Sequence, residues 1–284
     1  MGMNPLIPAN WLLEHHADPD VRLVDARFVL GQPNAGREAY DAGHIPEAIF
    51  LDLERDLSAP KRSDGRGGRH LLPDPNVLAS RLSELGIGNE HSLVAYDDPS
   101  GGQGFYAAHV WWLLRYLGHD RVSVLDGGLP AWLAVGGTLE TNPPSHAKTT
   151  FTPRVRSEMA VNAKDVTARG SGTILIDSRA APRYRGEVEP IDAKAGHIPG
   201  AINLDWAAGL EPNGSFKPAA QSERFAPLEN AEEVLVYCGS GVSACANLLA
   251  LEVAGITGAK LYAGSWSDWI AQSDAPIAVG ADPG

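Results

Sequence analysis

Short apolar runs rich in β-branched residues alternate along this chain with longer stretches whose apolar positions recur with a helical period. The runs Val21 to Arg27, Ala48 to Leu53, Ser92 to Asp97 and Val122 to Asp126 predict strands in the first half. Ile174 to Arg179, Ala201 to Leu204, Glu233 to Cys238 and Lys260 to Ala263 do so in the second. Helices are predicted near Pro75 to Leu85 and Gln103 to Leu117, ended by Gly86 and Gly118, and over Ser243 to Ala254, ended by Gly255. Strands alternating with helices imply an α/β fold, a mostly parallel sheet with helices on both faces. Thr138 to Pro153, with Asn142-Pro143-Pro144-Ser145, carries no period and reads as a linker.

The pattern occurs twice. Leu23-Val24-Asp25-Ala26-Arg27 is matched by Leu175-Ile176-Asp177-Ser178-Arg179, and Gly43-His44-Ile45-Pro46 by Gly196-His197-Ile198-Pro199. Leu93 to Asp97 parallels Leu235 to Cys238, and Gly127 to Trp132 parallels Gly264 to Trp269. Four matches in one order indicate a duplicated domain. The expected division is 1–137, a linker at 138–155, and 156–284.

Composition narrows the class. A chain of 284 residues, 44% hydrophobic and 20% charged, suits two globular domains. Its net charge of −12, with no compensating basic run, argues against nucleic-acid and anionic-membrane partners. No stretch is apolar for the length of a membrane span, and the first twenty residues lack the pattern of a secretory leader. Two cysteines, Cys238 and Cys245, make no disulfide framework and have no metal-ligand spacing around them. The expectation is a cytoplasmic protein with free thiols, without metal or other cofactor.

Cys238 is where the chemistry concentrates. It ends a predicted strand and opens the turn Cys238-Gly239-Ser240-Gly241-Val242-Ser243-Ala244, behind which a helix begins. Consecutive backbone N–H groups and a helix N-terminus can then converge on the sulfur. Such surroundings favour the thiolate, the nucleophilic form. A small buried core residue is the alternative fate of a free cysteine, but flanking glycines have no use there. The counterpart of Cys238 in the first half is Asp97, so the first domain is expected to be non-catalytic.

The string Cys-Gly-Ser-Gly-Val-Ser-Ala, with Gly196-His197-Ile198-Pro199-Gly200-Ala201 and Gly264-Ser265-Trp266-Ser267-Asp268-Trp269 in order, resembles the 3-mercaptopyruvate sulfurtransferases, a branch of the two-domain rhodanese family. The resemblance implies two tandem rhodanese-like domains and a Cys238 persulfide intermediate. The sulfur donor would be 3-mercaptopyruvate or, alternatively, thiosulfate. The acceptor would be a thiol, thioredoxin or cyanide. The loop residues Gly239, Gly241, Val242 and Ser243 would surround the transferred sulfur, and Arg183 would grip the anionic end of the donor. Ser240, His70 and Glu54 match a proposed proton-relay trio, with Glu54 where the family has an aspartate.

One departure bears on recognition. The family carries a second arginine in a Glu-Pro-Arg context, where this chain has Glu189-Pro190-Ile191. Arg185 or a basic residue of the first half are the candidates to replace it. A loop of Cys-x5-Arg type would mean phosphoryl chemistry, but Ala244 stands at the arginine position. A persulfide carrier acting on a partner protein is the reading from another class. His44 and His197 recur in both halves and read as structural; Trp132, Trp266, Trp269 and Cys245 read as packing.

Overall fold

The computed structural model describes residues 3–101, 104–217, 221 and 223–284. Two compact units emerge, the first from Met1–Ala59, Leu72–Arg156 and Glu211–Phe216, the second from Pro60–Leu71, Ser157–Leu210 and Lys217–Gly284. They are not contiguous stretches of 1–137 and 156–284. Each half lends the other a short segment, and 60–71 is the consequential one.

The first unit holds β1 (Leu6–Ile7), β2 (Val21–Asp25), β3 (Ala48–Phe50), β4 (Ser92–Tyr96) and β5 (Val122–Leu125), in the order β1-β5-β4-β2-β3. The second holds β6 (Ala160–Val161), β7 (Thr173–Asp177), β8 (Ala201–Asn203), β9 (Glu233–Tyr237) and β10 (Lys260–Tyr262), in the order β6-β10-β9-β7-β8. Every pairing is parallel, with Leu175 beside Leu235 and Leu261 beside Val236 in the second sheet. The same permutation in both sheets is the duplication made structural. Strands such as β4 and β9 are buried on both faces, as unbroken apolar runs require, and helices flank each sheet. The helix Ala244–Val253 is apolar on nearly all sides and is therefore buried along its length through Leu251.

Local chemistry sets the boundaries. The helix Pro75–Glu84 starts where the Asp74 carboxylate accepts the N–H groups of Asn76 and Val77, and it ends before Gly86 at φ +77°. The helix Tyr106–Tyr116 begins later than the pattern suggests; Gln103 lies outside the described residues. The presumed linker is not a free tether. Phe151 is buried, and Thr149, Phe151, Arg154 and Arg156 all hydrogen-bond into the first unit through Ser83, Leu117 and Tyr116.

The repeated Gly-His-Ile-Pro segments are architectural. Arg179 forks onto Asp177 and also donates to the Gly196 carbonyl at 2.6 Å, and Tyr237 Oη accepts the Ile198 N–H at 3.1 Å. Arg27, Asp25, Gly43, Tyr96 and Ile45 repeat this in the first unit. His197 and His44 are fully buried, stacked 3.8 Å from Tyr184 and Tyr40, and bonded through Nδ1 to the carbonyls of those tyrosines. No described helix is long and apolar enough to cross a membrane.

Candidate active site

β9 lies second from neither edge but at the centre of its sheet, between β10 and β7, and delivers Cys238 at its carboxyl end. In open α/β sheets that end is where ligands bind. The chain then turns through Gly239-Ser240-Gly241-Val242 into the helix that starts at Ala244, with Ser243 as its N-cap residue. Gly241 sits at φ +83°, and a Cβ there would fall 2.3 Å from the Ala263 carbonyl oxygen, so only glycine fits. Among the described residues none accepts the backbone N–H groups of Ser240 to Ala244. These are the unpaired donors that a helix N-terminus and its approach loop leave over.

The segment Tyr262 to Ser267 holds the loop. The N–H of Cys238 donates to Ser265 Oγ at 3.1 Å, and Ser265 Oγ donates to the Tyr262 carbonyl at 2.9 Å. Trp266 and Ser267 donate their N–H groups to the carbonyls of Cys238 and Gly239, each at 3.0 Å. Trp266 and Trp269 are buried as expected, with Arg179 4.7 Å over the Trp266 ring.

The same motif anchors segment 60–71 to this unit. Gly67 N–H donates to Asp268 Oδ1 at 2.7 Å and Arg69 N–H to Ser267 Oγ at 3.1 Å. Gly68, at φ +85°, lies so close to Gly264 that a Cβ would meet its carbonyl oxygen at 2.4 Å. The polar, glycine-rich stretch Gly65-Arg66-Gly67-Gly68 is thus the piece that carries His70 to the loop of Cys238. His70 Nδ1 stands 2.9 Å from Ser240 Oγ, and both residues are buried. Glu54 belongs to the first unit, where it is exposed and its N–H is held by Asp52 Oδ1.

Burial, reinforced by the Arg69 and Lys61 cations, lowers the His70 pKa to about 4. The ring is therefore neutral at physiological pH and able to take a proton. If His70 serves as a base, turnover with a thiol donor keeps its His70 contribution from pH 8 down to about 5. It falls as pH approaches the imidazole pKa of about 4. A pH–kcat profile checks this; an acid limb near the ordinary histidine value of about 6.5 that disappears in His70→Asn would contradict it.

The sequence leaves the second cation open between Arg185 and a basic residue of the first half, and Arg69 is such a residue. Arg69 reaches the loop beside Arg183: a Cβ built at Gly239 would lie 3.0 Å from Arg69 Nη2 and 3.6 and 3.7 Å from Arg183 Nη2 and Nη1. Arg69 Nε is buried without a hydrogen-bond partner among the described residues. Its proximity to His70 in sequence was the only available signal. Arg185, by contrast, is half-buried and forks onto Glu187 at 2.7 and 2.9 Å. Arg183 is held by Glu189 at 2.7 and 3.2 Å, and Asp192 bridges Arg183 to Arg69. Burial pushes the Asp192 carboxyl above its ordinary value against the pull of Arg69 and Arg183. At Glu189 burial acts the same way but is outweighed by hydrogen bonds from Arg183 and the backbone, and the carboxyl falls below its ordinary value.

Cys238 is itself only 1% exposed, which a core thiol would also show. What distinguishes it is its neighbours: two guanidiniums at the next residue, a serine–histidine pair and a row of unpaired N–H donors. Cys245 has none of these. Its Sγ lies 3.3 Å from the Gly241 carbonyl inside an apolar helix, and burial pushes its thiol pKa well up. In the first unit Asp97 stands at the position that Cys238 holds in the second, accepting the Ala107 N–H at 3.0 Å, with its pKa raised to about 7 by burial. No group of three or more His, Cys, Asp or Glu among the described residues could hold a metal ion.

The arrangement has counterparts. The rhodanese-like domain model matches twice, at residues 8–135 and 161–272. A Pseudomonas aeruginosa protein provisionally named a 3-mercaptopyruvate sulfurtransferase is 44% identical over 287 residues, 99% of this chain and 100% of that one. A Mycobacterium tuberculosis protein provisionally named a thiosulfate sulfurtransferase is 38% identical over 269 residues, 93% of this chain and 92% of its own. The crystal structure of SseA from Escherichia coli, described among the 3-mercaptopyruvate sulfotransferases, superposes with a TM-score of 0.81 at 32% identity, covering 93% of this chain and 99% of that one.

Proposed function

The chain belongs to the rhodanese family, and from that premise we propose that it is a sulfurtransferase that takes sulfur from 3-mercaptopyruvate through a persulfide on Cys238. The observation that carries the choice of donor is the Ser240–His70 pair, 2.9 Å apart, on the loop that begins at the nucleophile.

The Cys238 thiolate attacks the donor sulfur and forms an S–S bond as the C–S bond breaks. Electrons of that bond pass to the methylene carbon, which leaves as the enolate of pyruvate. The proton on the donor thiol must move from sulfur to that carbon, giving pyruvate and a Cys238 persulfide anion. We assign that transfer to neutral His70 acting through the Ser240 hydroxyl. The N–H groups of the loop from Gly239 to Ser243 stabilise charge on the sulfur, and Arg183 with Arg69 holds the donor carboxylate. In the second half-reaction an acceptor thiol, thioredoxin or cyanide attacks the outer sulfur and restores the thiolate. A reducing compartment such as the cytoplasm suits both the free thiol and such acceptors.

Thiosulfate needs no relay, because its outer sulfur carries no proton and sulfite leaves as a stable anion. Ser240→Ala, and His70→Asn to a lesser extent, should therefore depress kcat/KM for mercaptopyruvate by roughly ten- to a hundredfold while lowering the thiosulfate value far less. Both donors are assayed with one acceptor across pH. Equal losses would reduce Ser240 to a shaper of the loop and remove the basis for preferring mercaptopyruvate.

A further inference from the structure

Asp192 occupies the place between the two arginines that reach the nucleophile loop. One carboxylate oxygen meets Arg69 Nη1 and the other meets Arg183 Nη2 at 3.1 Å, and the side chain is 4% exposed. Around it Arg183 pairs with Glu189, Glu189 with Arg179, and Arg179 with Asp177. Arg69, Arg179 and Arg183 are thereby joined to Asp177, Glu189 and Asp192 in one network whose charges balance. Asp177 and Glu189 brace Arg179 and Arg183 from behind; Asp192 bridges the pair at Gly239.

We propose that Asp192 is a specificity-determining residue that sets the charge of the donor this site accepts, an inference that rests on the sulfurtransferase reading above and deepens it. With Asp192 ionised, the two cations at Gly239, Arg69 and Arg183, are balanced by Asp192 and Glu189, so the cluster carries no surplus positive charge. A donor with a single carboxylate and a protonated thiol then brings one uncompensated charge, and a dianion such as thiosulfate brings two, at a site whose walls are mostly buried, where an unpaired charge is strongly disfavoured. The loop adds only neutral N–H donors, and the chain's net charge of −12 offers no distant help. Ile191, exposed beside Asp192, supplies no cation in its stead. Loss of the arginine after Glu-Pro and retention of this bridging carboxylate thus act in one direction, toward the monoanion.

The test compares kcat/KM for 3-mercaptopyruvate and for thiosulfate, with cyanide as acceptor, in the wild type, Asp192→Asn and Asp192→Glu. In Asp192→Asn the ratio of thiosulfate to mercaptopyruvate values should rise by roughly tenfold or more, because the dianion gains twice as much as the monoanion from removal of the negative charge. In Asp192→Glu, which keeps the charge, the ratio should stay close to the wild-type value. A ratio unchanged or lowered in Asp192→Asn overturns the role of Asp192 while wild-type turnover of mercaptopyruvate keeps the donor reading standing. A wild type that turns over thiosulfate alone overturns both. Should Asp192→Asn fail to fold, Arg69→Gln provides the opposite test: the ratio should fall, and a rise would overturn the proposal.

Discussion

Cys238→Ser should abolish sulfur transfer from either donor, with turnover reduced by at least about a thousandfold. A serine hydroxyl at that position is slightly smaller and far less nucleophilic, and it cannot carry sulfur as a persulfide. The fold should survive, since the backbone of Cys238 is held through its N–H to Ser265 and its carbonyl to Trp266, and neither contact uses the sulfur. Cys245→Ala should retain transfer, because that thiol sits inside the helix with its pKa pushed up by burial. Steady-state assays on both variants, with circular dichroism as the check on folding, decide the matter. Full activity in Cys238→Ser, or loss of transfer in a folded Cys245→Ala, would exchange the roles of the two thiols.

The second large effect is expected at Arg183. Arg183→Ala should lower kcat/KM for mercaptopyruvate by roughly ten- to a hundredfold, about 1.4–2.7 kcal/mol of lost transition-state stabilisation. Its guanidinium stands beside Gly239 and is aimed there by Glu189, so its removal takes away a cation and leaves Glu189 and Asp192 short of a partner. Arg183→Lys should recover only part of the loss, since an ammonium cannot fork onto a carboxylate while keeping both of those contacts. The loss should appear with thiosulfate too, in contrast to the Ser240 variant. An unchanged kcat/KM in Arg183→Ala would remove this residue from donor binding.

Much of the fold can be read from the chain because strands buried on both faces write themselves as unbroken apolar runs. β4 and β9 are such runs, β2 and β7 are so in part, and each of the four ends one or two residues before the apolar pattern suggests. At β2 and β7 the reason is specific: after Asp25 and Asp177 the chain leaves its strand so that Arg27 and Arg179 can fork back onto those carboxylates. The edge strands Leu6–Ile7 and Ala160–Val161 are two residues each, too short to carry any period. The short helices Gly128–Ala134 and Ser265–Trp269 escape for a similar reason, being about two turns or less.

The site divides along the same line. Cys238 and its loop are legible because their meaning is local: a strand end, glycines and a helix start within seven residues. His70 came from resemblance, and Arg69, one residue earlier, was covered only as a basic residue of the first half. Its partner Asp192 is 123 positions away, and no local pattern encodes that meeting. Gly65-Arg66-Gly67-Gly68 falls by position within 1–137, the expected first domain. Its glycines are needed because Gly67 and Gly68 press against Asp268 and Gly264 of the second. The hydroxyls of Ser265 and Ser267 are likewise overshadowed by the tryptophan they flank, Trp266.

The central claim is that sulfur passes from 3-mercaptopyruvate to Cys238 before any acceptor takes part. Protein incubated with mercaptopyruvate alone, with pyruvate quantified and the protein digested for peptide mass spectrometry, tests this directly. The account predicts one equivalent of pyruvate per chain and one added sulfur atom on the peptide containing Cys238, lost again when cyanide is supplied. Pyruvate released without sulfur on the protein, or sulfur located on Cys245, would contradict it.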